Sequence, residues 1–84
     1  MKYNEDKIIN ELLEYVKDTY KKHYSYDDGL QTQDVLRSMK ISKDFVHGNA
    51  IKYLMRYGRK ENHNKKDLFK AMHYIILLMD CEKD

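Results

Sequence analysis

Apolar residues recur along this chain at helical spacing, and the spacing predicts four helices. Ile9, Leu12, Leu13, Val16 and Tyr20 fall within one stripe about 100° wide at 3.6 residues per turn. They predict a first helix over about residues 4–22, with Asn4 as N-cap and Glu5 and Asp6 at the positive end of its dipole. This stripe is either core or a surface that meets a partner. The segment His23-Tyr24-Ser25-Tyr26-Asp27-Asp28-Gly29-Leu30 breaks the period, and Asp28-Gly29 is a turn signal. A short helix follows over about residues 33–39, with Thr32 as cap and Val35, Leu36 and Met39 as its apolar side.

Ser42 is positioned to cap a third helix reaching Tyr57, and Gly58 fits the left-handed position that ends it. Gly48-Asn49 inside that helix is a local conflict. It marks either a close backbone approach or a break from which Asn49 restarts the helix. Residues 59–64 form a polar loop, and Asn64-Lys65-Lys66-Asp67 resembles a capping box with Asp in place of Glu. The last helix is expected over residues 65–81, with Leu68, Met72, Ile75, Ile76 and Met79 as its inner stripe. The expectation is therefore an all-α fold, a small bundle of about four helices forming one domain over residues 1–84.

Composition narrows the function classes. The chain has 84 residues, one Cys, no Pro and no Trp, so a disulfide framework and a four-cysteine zinc module are excluded. The longest apolar run, Tyr74 to Met79, falls far short of the ~20 residues that span a bilayer. The first six residues, Met1-Lys2-Tyr3-Asn4-Glu5-Asp6, hold no apolar signal-peptide core, and a cytoplasmic location is expected. A domain of this size buries only about 60% of its unfolded surface, which makes a homo-oligomer an attractive route to stability.

Net charge is only +2, but its distribution is uneven. Between Lys52 and Lys70 lie seven basic and two acidic residues, a local +5 against −3 for the remainder. A basic centre in an acidic chain suits an anionic partner such as a phosphate or nucleotide. The low overall charge and the lack of a sustained basic stripe argue against nucleic acid.

Candidate chemistry follows from the helical register. On the third helix Lys52, Arg56 and Arg59 share one side, with Asn49 on its edge, while Ile51 and Leu54 occupy the opposite side, expected to pack. Cations at i and i+4 repel unless something anionic balances them. Arg offers planar bidentate recognition of phosphate and Lys a point charge. The alternative is a solvated face paired with acids of the first helix. Asp67, Lys70 and Tyr74 line one stripe of the last helix, either as an ordinary surface pair or with Asp67 orienting a cation or ribose hydroxyl and Tyr74 stacking on a base. His23, His47, His63 and His73 form no metal-ligand pair. There is neither a phosphate loop nor a nucleophilic triad. Cys81 reads as inert. No catalytic residue, metal or cofactor is expected.

The run Gly48-Asn49-Ala50-Ile51-Lys52-Tyr53-Leu54-Met55-Arg56-Tyr57, then Lys60, then Asp67-Leu68-Phe69-Lys70-Ala71-Met72-His73-Tyr74, has the pattern G-N-x-h-K-Y-h-x-R…K…D-L-x-K-A-x-x-Y. Upstream, His23-Tyr24 and the segment from Gly29-Leu30 to Asp34-Val35-Leu36 fit a leading H-Y and G-I-x-x-I-D-x-I. In these features, over about residues 23–79, the chain resembles a family of small phage proteins labelled nucleotide kinase-like. It is also similar to the phage sponge proteins of the fourth anti-CBASS type, which bind cyclic nucleotide immune signals. Three departures stand out: Gln33 at a usually apolar position, a longer 59–64 loop, and residues 1–22 as an added helix that could serve as oligomer interface or lid.

The resemblance implies a helical, oligomeric, nucleotide-binding protein. In the leading reading it is a phage-encoded sponge that sequesters cyclic nucleotides without cleaving them. Lys52, Arg56, Lys60 and Lys70, with Arg59 beside them, would hold phosphates. His23, Tyr24, Tyr53 or Tyr74 would stack on bases, and Asn49 would read a base edge or ribose. A symmetric pocket between two subunits would suit a cyclic dinucleotide. The alternatives are a nucleoside monophosphate kinase-like enzyme and a nucleic-acid or host-protein binding module.

Overall fold

The computed structural model describes residues 1–23, 32–60 and 62–82, with His23 through its backbone alone. Among these residues there are four helices and no strand: α1 (Glu5–His23), α2 (Thr32–Ser38), α3 (Ser42–Arg56) and α4 (Lys65–Cys81). The chain is all-α, as the apolar spacing predicts. The expected Asp28-Gly29 turn and the Gly29-Leu30 part of the motif lie outside the described residues.

Helix ends follow local chemistry. Asn4 takes a left-handed φ of 62°, and its carbonyl accepts the first helical bond of α1 from the Ile8 N–H at 2.9 Å. Gly58 is left-handed at φ 86°, and its N–H donates to the Asn62 carbonyl at 3.0 Å. Asn64 caps α4, its Oδ1 accepting from the Lys66 N–H at 2.9 Å. Ser42 departs from expectation. Ile41 precedes α3 with no side-chain cap, and Ser42 is instead a buried first-turn residue. Its hydroxyl accepts from Gln33 Nε2 and lies 3.4 Å from Cys81 Sγ, tying α2, α3 and α4 together. Gln33, the polar departure from the motif, is thereby accounted for.

α3 and α4 form an antiparallel hairpin. At one end Ser42 meets Cys81 and Lys43 Nζ pairs with Glu82 Oε1 at 3.1 Å. At the other, Arg56 pairs with Asp67. Val46, Ala50 and Ala71 fill the seam and are almost fully buried. α1 runs alongside α4 in the same direction, since Glu11 bonds Lys65 and Tyr15 stacks on Phe69. α2 is pinned to α4 by Arg37 Nη2 and Asp80 Oδ2 at 2.8 Å.

This packing turns the expected inner stripes away from the core. Small residues let α3 and α4 approach closely, so Val46, Ala50 and Ala71 take the seam and larger neighbours rotate outward. On α4 the buried positions are Asp67, Phe69, Ala71, His73 and Cys81, whereas Ile75, Ile76 and Met79 are exposed. On α3 Ile51 and Leu54 are exposed, and on α1 so are Ile9, Leu13 and Tyr20. Gly48 sits in an uninterrupted helix with nothing within 4 Å of where a Cβ would stand, so no part of the described chain approaches it closely. Among the described residues no helix is long and apolar enough to cross a membrane.

Candidate functional site

An aromatic row crosses α4. Tyr15 of α1 stacks on Phe69, with centroids 5.5 Å apart and planes at 18°, and meets His73 edge-on at 6.3 Å. His73 lies 6.5 Å from Tyr74, which stacks on Tyr53 of α3 at 5.8 Å with planes only 7° apart. Each such pair adds about 0.5–1.5 kcal/mol beyond area burial, so the row links three helices into one platform. Burial holds the His73 imidazole below its ordinary value of 6.5, and the ring is neutral at pH 7.

Cations gather at the Tyr53 end of the row. Lys52 Nζ and Lys70 Nζ each lie 5.1 Å from the Tyr53 ring centroid, and the Arg56 guanidinium carbon lies 6.0 Å away. The register produces this. Lys52 and Arg56 are one turn apart on α3, as are Lys70 and Tyr74 on α4, and the stacked tyrosines bring the two pairs together. Arg56 Nε stands 3.6 Å from Asp67 Oδ1, an ion pair too long to be a hydrogen bond. The Asp67 side chain is 5% exposed against 27% for Arg56. Asp67 Oδ2 and Arg56 Nε are buried, with no hydrogen-bond partner among the described residues. Neither Lys52 nor Lys70 meets a carboxylate among those residues. The two lysines therefore differ from Arg56, which holds a buried carboxylate.

Beside this cluster lies a cavity of about 290 Å³ lined by Tyr15, Thr19, Tyr53, Lys70, His73, Tyr74 and Leu77. A second, of about 440 Å³, shares His73, Tyr74 and Leu77 and continues toward Phe45, Arg37 and Asp80. The two make one groove floored by α4 and walled by α1 on one side and by α2 and α3 on the other. Its floor is aromatic and apolar, Lys70 stands at one end, and the Arg37–Asp80 pair at the other. This combination can stack a planar ring and bind an anionic group. Among the described residues no three His, Cys, Asp or Glu side chains converge on a point where a metal could sit.

Of the residues singled out from the sequence, Lys52, Tyr53, Arg56, Asp67, Lys70 and Tyr74 come together. Asn49 is half-buried on the same edge of α3, one turn before Tyr53, but does not line the groove. Arg59 and Lys60 are exposed in the turn after α3, their N–H groups donating to the Arg56 carbonyl at 3.0 and 3.2 Å. The His23 side chain and Tyr24 lie outside the described residues. The rest of the smaller cavity comes from Tyr15, Thr19, His73 and Leu77, none of which stands out in the sequence as a binding residue. A signal existed for two of them: Lys70, His73, Tyr74 and Leu77 stand at i, i+3, i+4 and i+7, one helical face.

A family model matches residues 16–76, from Val16 in α1 to Ile76 in α4. The chain belongs to the DUF3310 family of proteins of unknown function. Within this DUF3310 protein the match takes in the cationic cluster and all but two residues of the smaller cavity, Tyr15 lying just before it and Leu77 just after. No curated protein and no solved structure matches the chain.

Proposed function

We propose that this protein binds a small nucleotide and holds it intact, acting as a phage-encoded sponge for cyclic nucleotide signals and working as a homo-oligomer. The observation that carries the reading is the Tyr53 ring, stacked on Tyr74 and faced at 5.1 Å by two ammonium groups that have no described carboxylate partner. Nucleotides join a planar base to a phosphate, and this site offers aromatic surface and, a few ångströms away, cations with no carboxylate partner among the described residues. Stacking on an aromatic side chain is worth about 1–3 kcal/mol per base. Lys52 and Lys70 supply the charge for phosphate, while Tyr74, Tyr15 and neutral His73 supply surface for the base.

The kinase-like alternative is less favoured. Phosphoryl transfer needs carboxylates free to hold metal near the phosphates. Asp67, the carboxylate at this cluster, is buried and committed to Arg56.

The test incubates the protein with a panel of cyclic and linear nucleotides, removes free ligand by filtration, and releases bound ligand by heat. Intact cyclic nucleotide is expected in the released fraction, with at least tenfold less from Lys70→Ala or Lys52→Ala. A new phosphorylated product in the presence of ATP would overturn the pure-binding view. No retention of any nucleotide would overturn both.

A further inference from the structure

The α3–α4 hairpin has two unlike sides. One carries the groove and α1. The other carries Ile51 and Leu54 from α3 and Ile75 and Met79 from α4, with Met55 and Ile76 at its two edges, each between 40% and 66% exposed. In the antiparallel pair, Leu54 and Ile51 on α3 and Ile75 and Met79 on α4 turn to the same side of the hairpin plane. Phe69 and His73, which face α1, turn to the other.

We infer that this outer side of the hairpin docks a second copy of the same chain. This deepens the assembly part of the reading above and rests on it for the expectation that copies associate; nucleotide binding plays no part. Three observations choose the occupant. First, area: the six exposed fractions amount to about three fully exposed apolar residues, about 500 Å² per copy. A twofold contact would bury about 1,000 Å², the size at which specific interfaces begin. Second, charge: from Tyr74 to Met79 the chain carries no acidic or basic residue, so the α4 halves of two such patches can meet without like-charge repulsion. Third, space: Gly48, on the exposed side of α3 near Ile51 and Met55, is open beyond where a Cβ would stand, leaving room for a partner side chain or helix.

A consequence separates this arrangement from a pocket shared between subunits. The groove lies on the far side of the hairpin, so each copy keeps a whole groove and binds one ligand per chain.

Sedimentation velocity of the whole protein at micromolar concentration tests the inference. Wild type is expected to sediment as a dimer or larger multiple. Leu54→Lys with Ile75→Lys is expected to sediment as a monomer, with wild-type helical circular dichroism and association weakened at least about a hundredfold. A wild-type monomer overturns the inference while leaving the nucleotide-retention result untouched. Full association of the lysine variant puts the contact on another surface and also overturns it. Should the lysine pair unfold the chain, Ile75→Ser with Met79→Ser gives the reading instead. About tenfold weaker association supports the interface, and unchanged association overturns it. Nucleotide retained by the dissociated variant at one per chain supports a groove whole in each copy, whereas retention lost with association overturns that consequence.

Discussion

Arg56 and Lys52 sit one turn apart on the same helix edge, yet their replacement by Ala is expected to fail in different assays. Arg56→Ala removes the counter-charge of Asp67, whose side chain is 5% exposed and already has one oxygen without a hydrogen-bond partner among the described residues. Breaking a buried pair from one side costs about 3–5 kcal/mol. Arg56 is itself 27% exposed and water reaches its side of the pair, so the low end applies, about 3 kcal/mol. For a domain of this length that is a fall in Tm of about 12–24 °C. Asp67→Ala leaves an arginine that can turn to solvent, and a cost of about 1–2 kcal/mol follows. Removing both partners leaves no stranded charge, so the double variant is expected to lose only about 2–3 kcal/mol, a coupling of about 2 kcal/mol.

Urea unfolding followed by circular dichroism, at one fixed protein concentration so that association does not shift the baseline, measures all four corners of this cycle. By contrast Lys52→Ala and Lys70→Ala each give up a contact with the Tyr53 ring worth about 0.5–1 kcal/mol and strand no carboxylate. Their loss is expected in nucleotide retention. The division of labour is refuted if Arg56→Ala costs less than about 1 kcal/mol or the coupling falls below about 0.5 kcal/mol. An Arg56→Ala variant that simply lost ligand would be uninformative without this control, because an unfolded groove binds nothing.

Three further outcomes follow from single positions. Gly58→Ala places a Cβ on a residue at φ 86° and within 3.0 Å of His63 Nε2, and is expected to destabilise by about 1–2 kcal/mol in the same unfolding assay. Val46→Ala removes two methyls from a side chain with no solvent exposure at the α3–α4 seam, an expected loss of about 2 kcal/mol with the denaturant slope unchanged. Burial lowers the His73 value in the folded chain below its unfolded 6.5. Between the two values the unfolded chain binds the proton and the folded chain does not, so stability is full above about pH 6.5 and declines as pH falls below it. Urea midpoints of wild type and His73→Phe across that range check the sign: the decline is expected to shrink in the variant.

The helices themselves were legible because their boundaries are set by short-range chemistry. Gly58 and Asn64 end and begin helices through backbone conformation and one hydrogen bond, and both can be read from residue type alone. Which face of each helix turns inward was not legible. The apolar stripe of α4 was expected to mark the core, but Ala71 and His73 are buried while Ile76 and Met79 are exposed. A stripe reading assumes that the most apolar face meets the rest of the same chain. At the seam the governing quantity is instead how closely two backbones can approach, which favours Val46, Ala50 and Ala71. The site was half legible for a related reason. Lys52, Arg56, Lys70 and Tyr74 advertise themselves by charge and register. Tyr15 and Thr19 join them only because α1 lies along α4, a tertiary fact that local spacing does not encode.

The misplaced stripes and the candidate site have one cause. A hairpin whose seam is filled by alanines and a valine has two broad sides left over. α1 covers only one, and it does so through Tyr15 and its neighbours, whose rings leave a groove where a longer, flatter apolar contact would have closed it. The cations on that side cannot be buried against α1 without a partner. The groove between them therefore stays open to an anion, with Asp67 neutralising only the innermost charge. The other side holds apolar residues that the described part of a single copy leaves exposed. On the proposed reading, the chemistry that would recognise a ligand and the chemistry that would recognise another copy are segregated by the plane of the hairpin. A charge placed at Leu54 or Ile75 should disturb assembly and spare the groove, and one removed at Lys70 should do the reverse.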